Sequence, residues 1–116
     1  MTDNARFTMY RGDTKILNVA VTDGSGVNVP IDDATSVTFG LFDKVSLAAV
    51  LVKELLDGVT VAGNIATVTI LAADSAALLG EYPFEMEVID ASGYTFTVLR
   101  GTATVKEDLI TPTSVP

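Results

Sequence analysis

Short segments in which apolar and polar residues alternate recur along this chain, with turn-forming residues between them. The clearest covers residues 82–88, whose even positions are apolar and whose odd positions are Pro83, Glu85 and Glu87. Successive side chains of a β-strand point to opposite faces of the sheet. The segment is therefore predicted to be a strand with one buried face and one face toward solvent.

The same alternation predicts seven or eight short strands in all. They are expected over residues 6–10, 14–22, 36–42, 49–55, 59–62, 65–71, 82–89 and 94–105, with a further short extended segment at 27–31. Residues 44–56 also match helical spacing, but the β-branched content of 50–52 favours a strand there. Gly63-Asn64 is typical of a two-residue hairpin turn. Within 36–42 the odd positions from Val37 to Leu41 are expected to share one face, and within 65–71 the even positions from Ala66 to Ile70 are expected to point inward.

Three local features refine this pattern. One short helical turn is expected near residues 74–79, capped by Asp74 and ended by Gly80. In the last strand Phe96 and Val98 are expected to point inward at even positions and Ala103 and Val105 at odd ones, and this change of parity predicts a β-bulge at Arg100-Gly101. Tyr82 follows Gly80 closely and is placed for the hydrogen bond of a tyrosine corner at the start of a strand.

Many short strands separated by turns are typical of an antiparallel two-sheet β-sandwich. We expect a single domain over residues 6–106, preceded by a flexible arm at 1–5 and followed by an extended tail at 107–116. The 116 residues are 48% apolar and 19% charged, which fits a globular domain. No segment is apolar over enough residues to predict a membrane span, and no signal peptide is evident at the start.

Charge and residue types narrow the functional classes. The net charge is −8 and the seven basic residues are scattered, so nucleic-acid binding is not expected. The chain has no histidine or cysteine and therefore lacks the commonest general base and the usual ligands of transition metals. We expect no enzyme activity, no catalytic residues, no cofactor and no metal.

Two acidic pairs are the candidates for catalysis or metal binding. Glu85 and Glu87 lie on the outward face of one predicted strand, where no pocket separates their environments as glycosidase chemistry requires. Asp32-Asp33 lacks the spacing of a calcium loop. Arg11-Gly12-Asp13 matches an integrin-adhesion motif, but a turn between two strands is the favoured interpretation.

Binding is the remaining class. Tyr10, Phe42 and Tyr94 are the aromatic residues that the core does not obviously require, and they would serve a glycan-binding module. In the tail, Leu109, Ile110 and Val115 stand among polar residues and prolines. Either the tail is a frayed terminus, or these three side chains bind a neighbouring subunit. The predicted edge strands, 27–31 and 49–55, offer unpaired backbone groups to a partner.

Several segments in order carry a family resemblance. They are Phe7 with Arg11-Gly12-Asp13-Thr14, then Val37-Thr38-Phe39-Gly40-Leu41, Lys53-Glu54-Leu55-Leu56-Asp57-Gly58-Val59, Leu79-Gly80-Glu81-Tyr82-Pro83-Phe84-Glu85, and Asp90-Ala91-Ser92-Gly93 before residues 97–105. Over about residues 6–106 the chain resembles the immunoglobulin-like domain of bacteriophage structural proteins. It resembles notably the N-terminal domain of baseplate upper proteins and related tail modules.

The resemblance implies an immunoglobulin-like sandwich and a non-catalytic virion protein, made in the host cytoplasm. Its partners would be other virion proteins of the tail, baseplate or capsid, and it would be present as a homo-oligomer or in many symmetric copies. A tail or baseplate adaptor and a capsid decoration protein both remain open. The alternative function is a host-surface glycan-binding module.

Overall fold

Eight β-strands and one helical turn make up the chain in a computed structural model that describes residues 2–23 and 25–107. The protein is all-β, as predicted. The elements are β1 (Thr2–Tyr10), β2 (Lys15–Ala20), β3 (Ser36–Phe42), β4 (Ala49–Leu55), β5 (Gly58–Ala62), β6 (Ile65–Ile70), α1 (Ala72–Ser75), β7 (Gly80–Ile89) and β8 (Thr95–Lys106).

All eight strands belong to one continuous sheet, which curls until it is nearly barrel-shaped. The strand order is β1-β8-β7-β3-β4-β5-β6-β2. The prediction of a wholly antiparallel arrangement is wrong in two places. Strand β1 runs parallel to β8, and β4 pairs in parallel with β5 over two residue pairs. Alternation within one strand cannot reveal this, because it does not depend on the direction of the neighbouring strand.

The core lies between the two halves of the curled sheet. Val37, Phe39 and Leu41 of β3 are fully buried and belong to one hydrophobic core with Val68 and Ile70 of β6, which are also fully buried. Near them Phe84 of β7 is 4% exposed, with its ring centroid 5.1 Å from that of Phe7 and 5.7 Å from that of Phe39. The inward positions predicted for β3, β6 and β7 are thus confirmed.

Strand β1 begins earlier than predicted, since residues 2–5, expected to form an arm, pair with β8. This pairing requires Gly101, because a Cβ atom there would collide with the backbone carbonyl oxygen of Ala5. The predicted bulge at Arg100-Gly101 is wrong. The register shift falls at Val98, between the pairs Met86–Leu99 and Glu87–Thr97, and Gly101 instead permits close approach of β1.

Other boundaries are close to the predicted ones. Strand β4 forms where helical spacing competed with β-branched residues, which confirms the strand. The helical turn is four residues long and begins two residues earlier than expected; its N-cap is Leu71 and its C-cap is Ala76, so the predicted cap at Asp74 and end at Gly80 are wrong. Residues 27–31 form no strand and are held by an isolated bridge between Thr22 and Asn28. In the described part of the chain, no helix has the length and apolar character needed to cross a membrane.

Candidate functional site

A groove of about 490 Å³ opens at the end of the sheet where the 21–34 connection and the 90–94 loop meet. Its size falls within the usual range for ligand sites. The apolar lining consists of Val21, Val29, Pro30, Ile31, Ala34, Val88, Ala91, Phe96 and Val98. The polar lining consists of Thr22, Asp23, Asp33, Asp90, Ser92 and Thr97.

One side of the groove is the connection between β2 and β3. The amide of Val21 donates to the carbonyl of Asn64 at 2.8 Å, and the amide of Ile31 donates to the carbonyl of Gly63 at 2.8 Å. Within the connection, Oδ1 of Asp23 accepts hydrogen bonds from two backbone amides, as is typical of aspartate in turns. These bonds hold the connection against the β5–β6 hairpin turn.

The opposite side is the loop between β7 and β8. Oδ1 of Asp90 accepts hydrogen bonds from the amides of Ser92 and Tyr94, both at 2.9 Å. The loop is also tied to the first side, because the amide and hydroxyl of Thr35 both donate to the carbonyl of Ile89. Both sides of the groove are therefore fixed by hydrogen bonds within the chain.

Phe96 supplies the largest apolar surface in the groove. It is paired with Val88, which is 3% exposed, so the two side chains lie on the same, inner face of the sheet. Phe96 itself is 52% exposed. The expected inward orientation of Phe96 is thus confirmed. Unlike the buried core residues, however, its ring is not covered by other described residues.

Only acidic side chains contribute formal charge to this lining. Asp23 and Asp90 stand at the two loops and Asp33 lies between them, and no lysine or arginine is among the described lining residues. Carboxylates around an apolar surface produce a negative potential that is strengthened by the low-dielectric wall beside them. The groove is suited to an apolar group with positive charge next to it.

A second candidate surface is the open edge of β4. This strand pairs with β3 along its length, but on its other side only Glu54 and Leu55 pair with β5. No described strand pairs with residues 49–53 on that side, and Val50 and Val52 are 40% and 45% exposed. Residues 49–55 therefore retain the edge character expected from the sequence, whereas 27–31 do not.

Hydrogen bonds to Asp43 fix the turn before β4. Backbone hydrogen bonds from Ser46 and Val45 to its carboxylate hold the pKa of Asp43 below its ordinary value. The next residues, including Leu47 at φ 60°, lead directly into the edge strand. The position of that edge is consequently set by local hydrogen bonds.

The predicted partner-binding residues Leu109, Ile110 and Val115 lie outside the described residues.

Arg11-Gly12-Asp13 forms the expected turn between β1 and β2. It is fixed by Ser75, which is fully buried: the amide of Gly12 donates to Ser75 Oγ at 2.9 Å. This contact gives the turn a structural role.

The acidic and aromatic candidates are dispersed. Glu85 contacts Arg100 at 3.2 Å on the outer face of the sheet, and no cluster of three potential metal ligands occurs within residues 2–23 and 25–107. Tyr10 and Tyr94 are both exposed, but they lie at opposite ends of β8, roughly 40 Å apart at the usual strand rise. They do not form one aromatic platform.

No protein-family model matches the chain, and no curated protein matches it. The site is therefore interpreted from its own residues.

Sequence reasoning missed the groove because its parts are far apart in the chain. Parity alone places Phe96 in the core, and Asp90 falls in a predicted hairpin loop. The loop is correct, but neither position reveals that the two residues line one groove. The sequence does offer one indication that Phe96 is accessible. It lies only two residues after Tyr94, which ends that loop, and so it stands at the end of its strand.

Proposed function

We propose that this chain is a non-catalytic structural protein of a bacteriophage particle, with an immunoglobulin-like fold, that docks onto other virion proteins. Its partners would be proteins of the tail, baseplate or capsid, and it would be present in many symmetric copies. The family resemblance supplies the phage assignment. The fold and the open edge of β4 support the docking role.

The strand order supports an immunoglobulin-like arrangement. The series β1-β8-β7-β3-β4 corresponds to strands A, G, F, C and C′, and β5-β6-β2 corresponds to D, E and B. The two series meet only where Glu54 and Leu55 pair with Gly58 and Val59. A sheet that is continuous by hydrogen bonding is thus divisible into two layers at β4–β5.

A tyrosine corner supports the same assignment. Tyr82 lies near the start of β7, and its hydroxyl both donates to the carbonyl and accepts from the amide of Leu79, each at 3.0 Å. In immunoglobulin domains such a tyrosine stands two residues before a disulfide cysteine on strand F. Here Phe84 occupies that position, and it packs on Phe39 of β3, the strand that corresponds to C.

The open edge of β4 is the observation that carries the docking role. An unpaired strand edge provides backbone donors and acceptors to an added strand, and Val50 and Val52 supply apolar area beside it. Isolated edges of this kind promote aggregation unless something protects them. A partner strand in an assembled particle would satisfy both needs.

The direct test is to recover phage particles from the bacterium whose genome carries the gene and to analyse them by density-gradient sedimentation and mass spectrometry. We expect the chain to sediment with the particles at a constant ratio to the other structural proteins. Recovery only in the soluble fraction would contradict the proposal.

Variants of the edge make the test specific. Val52→Lys places a charge on the open edge, whereas Val45→Lys places one in the preceding turn, at a residue that is 86% exposed. We expect Val52→Lys to reduce incorporation into particles and Val45→Lys to leave it unchanged. Equal incorporation of both variants would contradict the proposed docking role of the β4 edge.

One observation favours the alternative, a host-surface glycan-binding module: Tyr94 and Phe96 are both exposed at the same end of the sheet. Exposed aromatic rings are the usual platforms for sugars. A titration with soluble cell-wall oligosaccharides, followed by amide chemical shifts at residues 94–97, tests it. Unchanged shifts would leave the docking role as the remaining proposal.

A further inference from the structure

The groove beside Phe96 is an uncovered part of the apolar interior. Strand pairing places Phe96 on the inner face together with Val88, and Ile31 and Val21, each 5% exposed, lie in the same lining. Yet half of the Phe96 side chain is accessible. Removing the accessible half of this aromatic side chain from water is favourable, so the surface favours an apolar occupant.

The groove is present before any ligand arrives. The Asp23 and Asp90 carboxylates each fix their own loop through two amide hydrogen bonds, and Thr35 joins the two sides. A preformed site avoids the entropy cost of ordering loops during binding. These bonds also engage part of the polar capacity of the lining, which leaves few partners for the many hydroxyl groups of a sugar.

The charge of the lining selects among apolar occupants. Asp23, Asp33 and Asp90 are all acidic, and the described lining contains no basic side chain. The chain's own tail does not fit, because residues 107–116 include Glu107 and Asp108 and no lysine or arginine. A second copy of a protein with net charge −8 is disfavoured for the same reason.

We propose that this groove binds an extended peptide segment of a partner protein in which one large apolar side chain is flanked by lysine or arginine. The apolar side chain packs on Phe96, and the flanking cations lie near the carboxylates at the two loops. This inference deepens the proposed function and rests on it, since the partner would be another protein of the particle. It assigns a second docking surface, distinct from the β4 edge.

Amide chemical shifts of the full chain test the proposal directly. The probe is a capped pentapeptide with phenylalanine between two arginines, and its matched controls replace either the arginines by glutamates or the phenylalanine by serine. We expect shift changes confined to residues 21–35 and 88–98 with the first peptide, and at least about fivefold weaker binding of both controls. Binding that ignores the charge of the peptide would overturn the proposal.

Variants of the chain separate the two contributions. Phe96→Ala is expected to weaken binding about tenfold and Asp33→Asn about threefold. The matched controls are Tyr94→Ala and Asp32→Asn, exposed neighbours that do not line the groove. Equal effects of the control and groove variants would overturn the assignment.

A third variant guards against a trivial loss of folding. Ala91→Trp adds an indole to an exposed loop residue of the lining and removes no core contact. We expect it to block the peptide while leaving the remaining amide spectrum unchanged. Full binding by this variant would contradict the proposed location.

Two further outcomes are informative. If a neutral oligosaccharide of N-acetylglucosamine shifts the groove residues and the arginine peptide does not, the peptide proposal is wrong and the glycan alternative gains support. If the chain sediments with particles but no peptide binds, the groove proposal fails while the proposed function stands.

Discussion

Lys53 of β4 and Asp74 of α1 form an ion pair, with Lys53 Nζ 2.7 Å from Asp74 Oδ2 and the two side chains 13% and 21% exposed. The lysine stem passes over Gly58, where a Cβ atom would lie 2.5 Å from its Cδ. The carboxylate also accepts the amide of Leu71 at 2.8 Å. The pair therefore ties the helical turn to the strand whose other edge is open.

The ion pair predicts a pH dependence of stability. Burial raises the pKa of Asp74, but the hydrogen bonds from Lys53 and Leu71 and the lysine charge outweigh it, so the pKa lies below its ordinary value of 3.8. A carboxyl with a lowered pKa in the folded state stabilises the fold above its unfolded pKa, and that contribution is lost as pH falls through the folded value. We expect this loss to begin as pH drops below about 4.

The variant Lys53→Met isolates that contribution. It should lower the free energy of unfolding by about 2 kcal/mol at neutral pH, because the carboxylate loses a charged partner. The difference from the parent chain should shrink as the pH falls below about 4. Urea unfolding at several pH values measures it, with Lys106→Met, at an exposed residue, as the control. A difference that stays constant with pH would contradict the prediction.

Gly101→Ala is expected to destabilise the β1–β8 pairing. The new methyl group would collide with the carbonyl oxygen of Ala5, which belongs to the backbone and cannot move alone. We expect a loss of at least about 2 kcal/mol and faster amide exchange along β1. Gly40→Ala is the matched control, since its Cβ would meet Phe42 Cζ at 2.8 Å, at the far end of a half-buried side chain that can swing away about χ1. Equal losses for the two variants would contradict this account.

Tyr82→Phe tests the tyrosine corner. It removes the two hydrogen bonds to Leu79 and leaves the ring in place, so we expect a loss of about 1 kcal/mol in thermal or urea unfolding. Tyr94→Phe, at a 67% exposed position, should change stability by less than about 0.5 kcal/mol. The prediction fails if the two variants are equally stable.

Ser75→Ala tests the contact that fixes the β1–β2 turn, at the end of the sheet opposite the groove. The hydroxyl accepts the amide of Gly12 and is positioned to donate to the carbonyl of Asp13, so its loss removes a buried partner from two partly exposed backbone groups. We expect a cost of about 1–3 kcal/mol and increased amide exchange at Gly12. Ser92→Ala, in an exposed loop, serves as the control. Unchanged exchange at Gly12 would show that water replaces the hydroxyl.

Most of the fold could be predicted from residue pattern. Strand β3 was predicted with the bounds that it has, and the Gly63-Asn64 turn and the inward faces of β6 and β7 were also correct. These features depend on neighbours two residues apart or on turn chemistry, both of which are local. The candidate site could not be predicted in the same way, because Ile31, Asp90 and Phe96 meet only after distant strands pair.

By itself, the sequence determined the all-β class, the strands that bury Phe39, Val68 and Phe84, and the lack of the imidazole and thiol groups that commonly carry catalysis. Alternation and composition suffice for these because each follows from residues close together in the chain. Only the tertiary structure decided that β1 runs parallel to β8, that Gly101 serves that pairing, and that Phe96 remains half-exposed in an acidic groove. Strand direction and coverage depend on which elements lie side by side, and that information is spread over the whole chain.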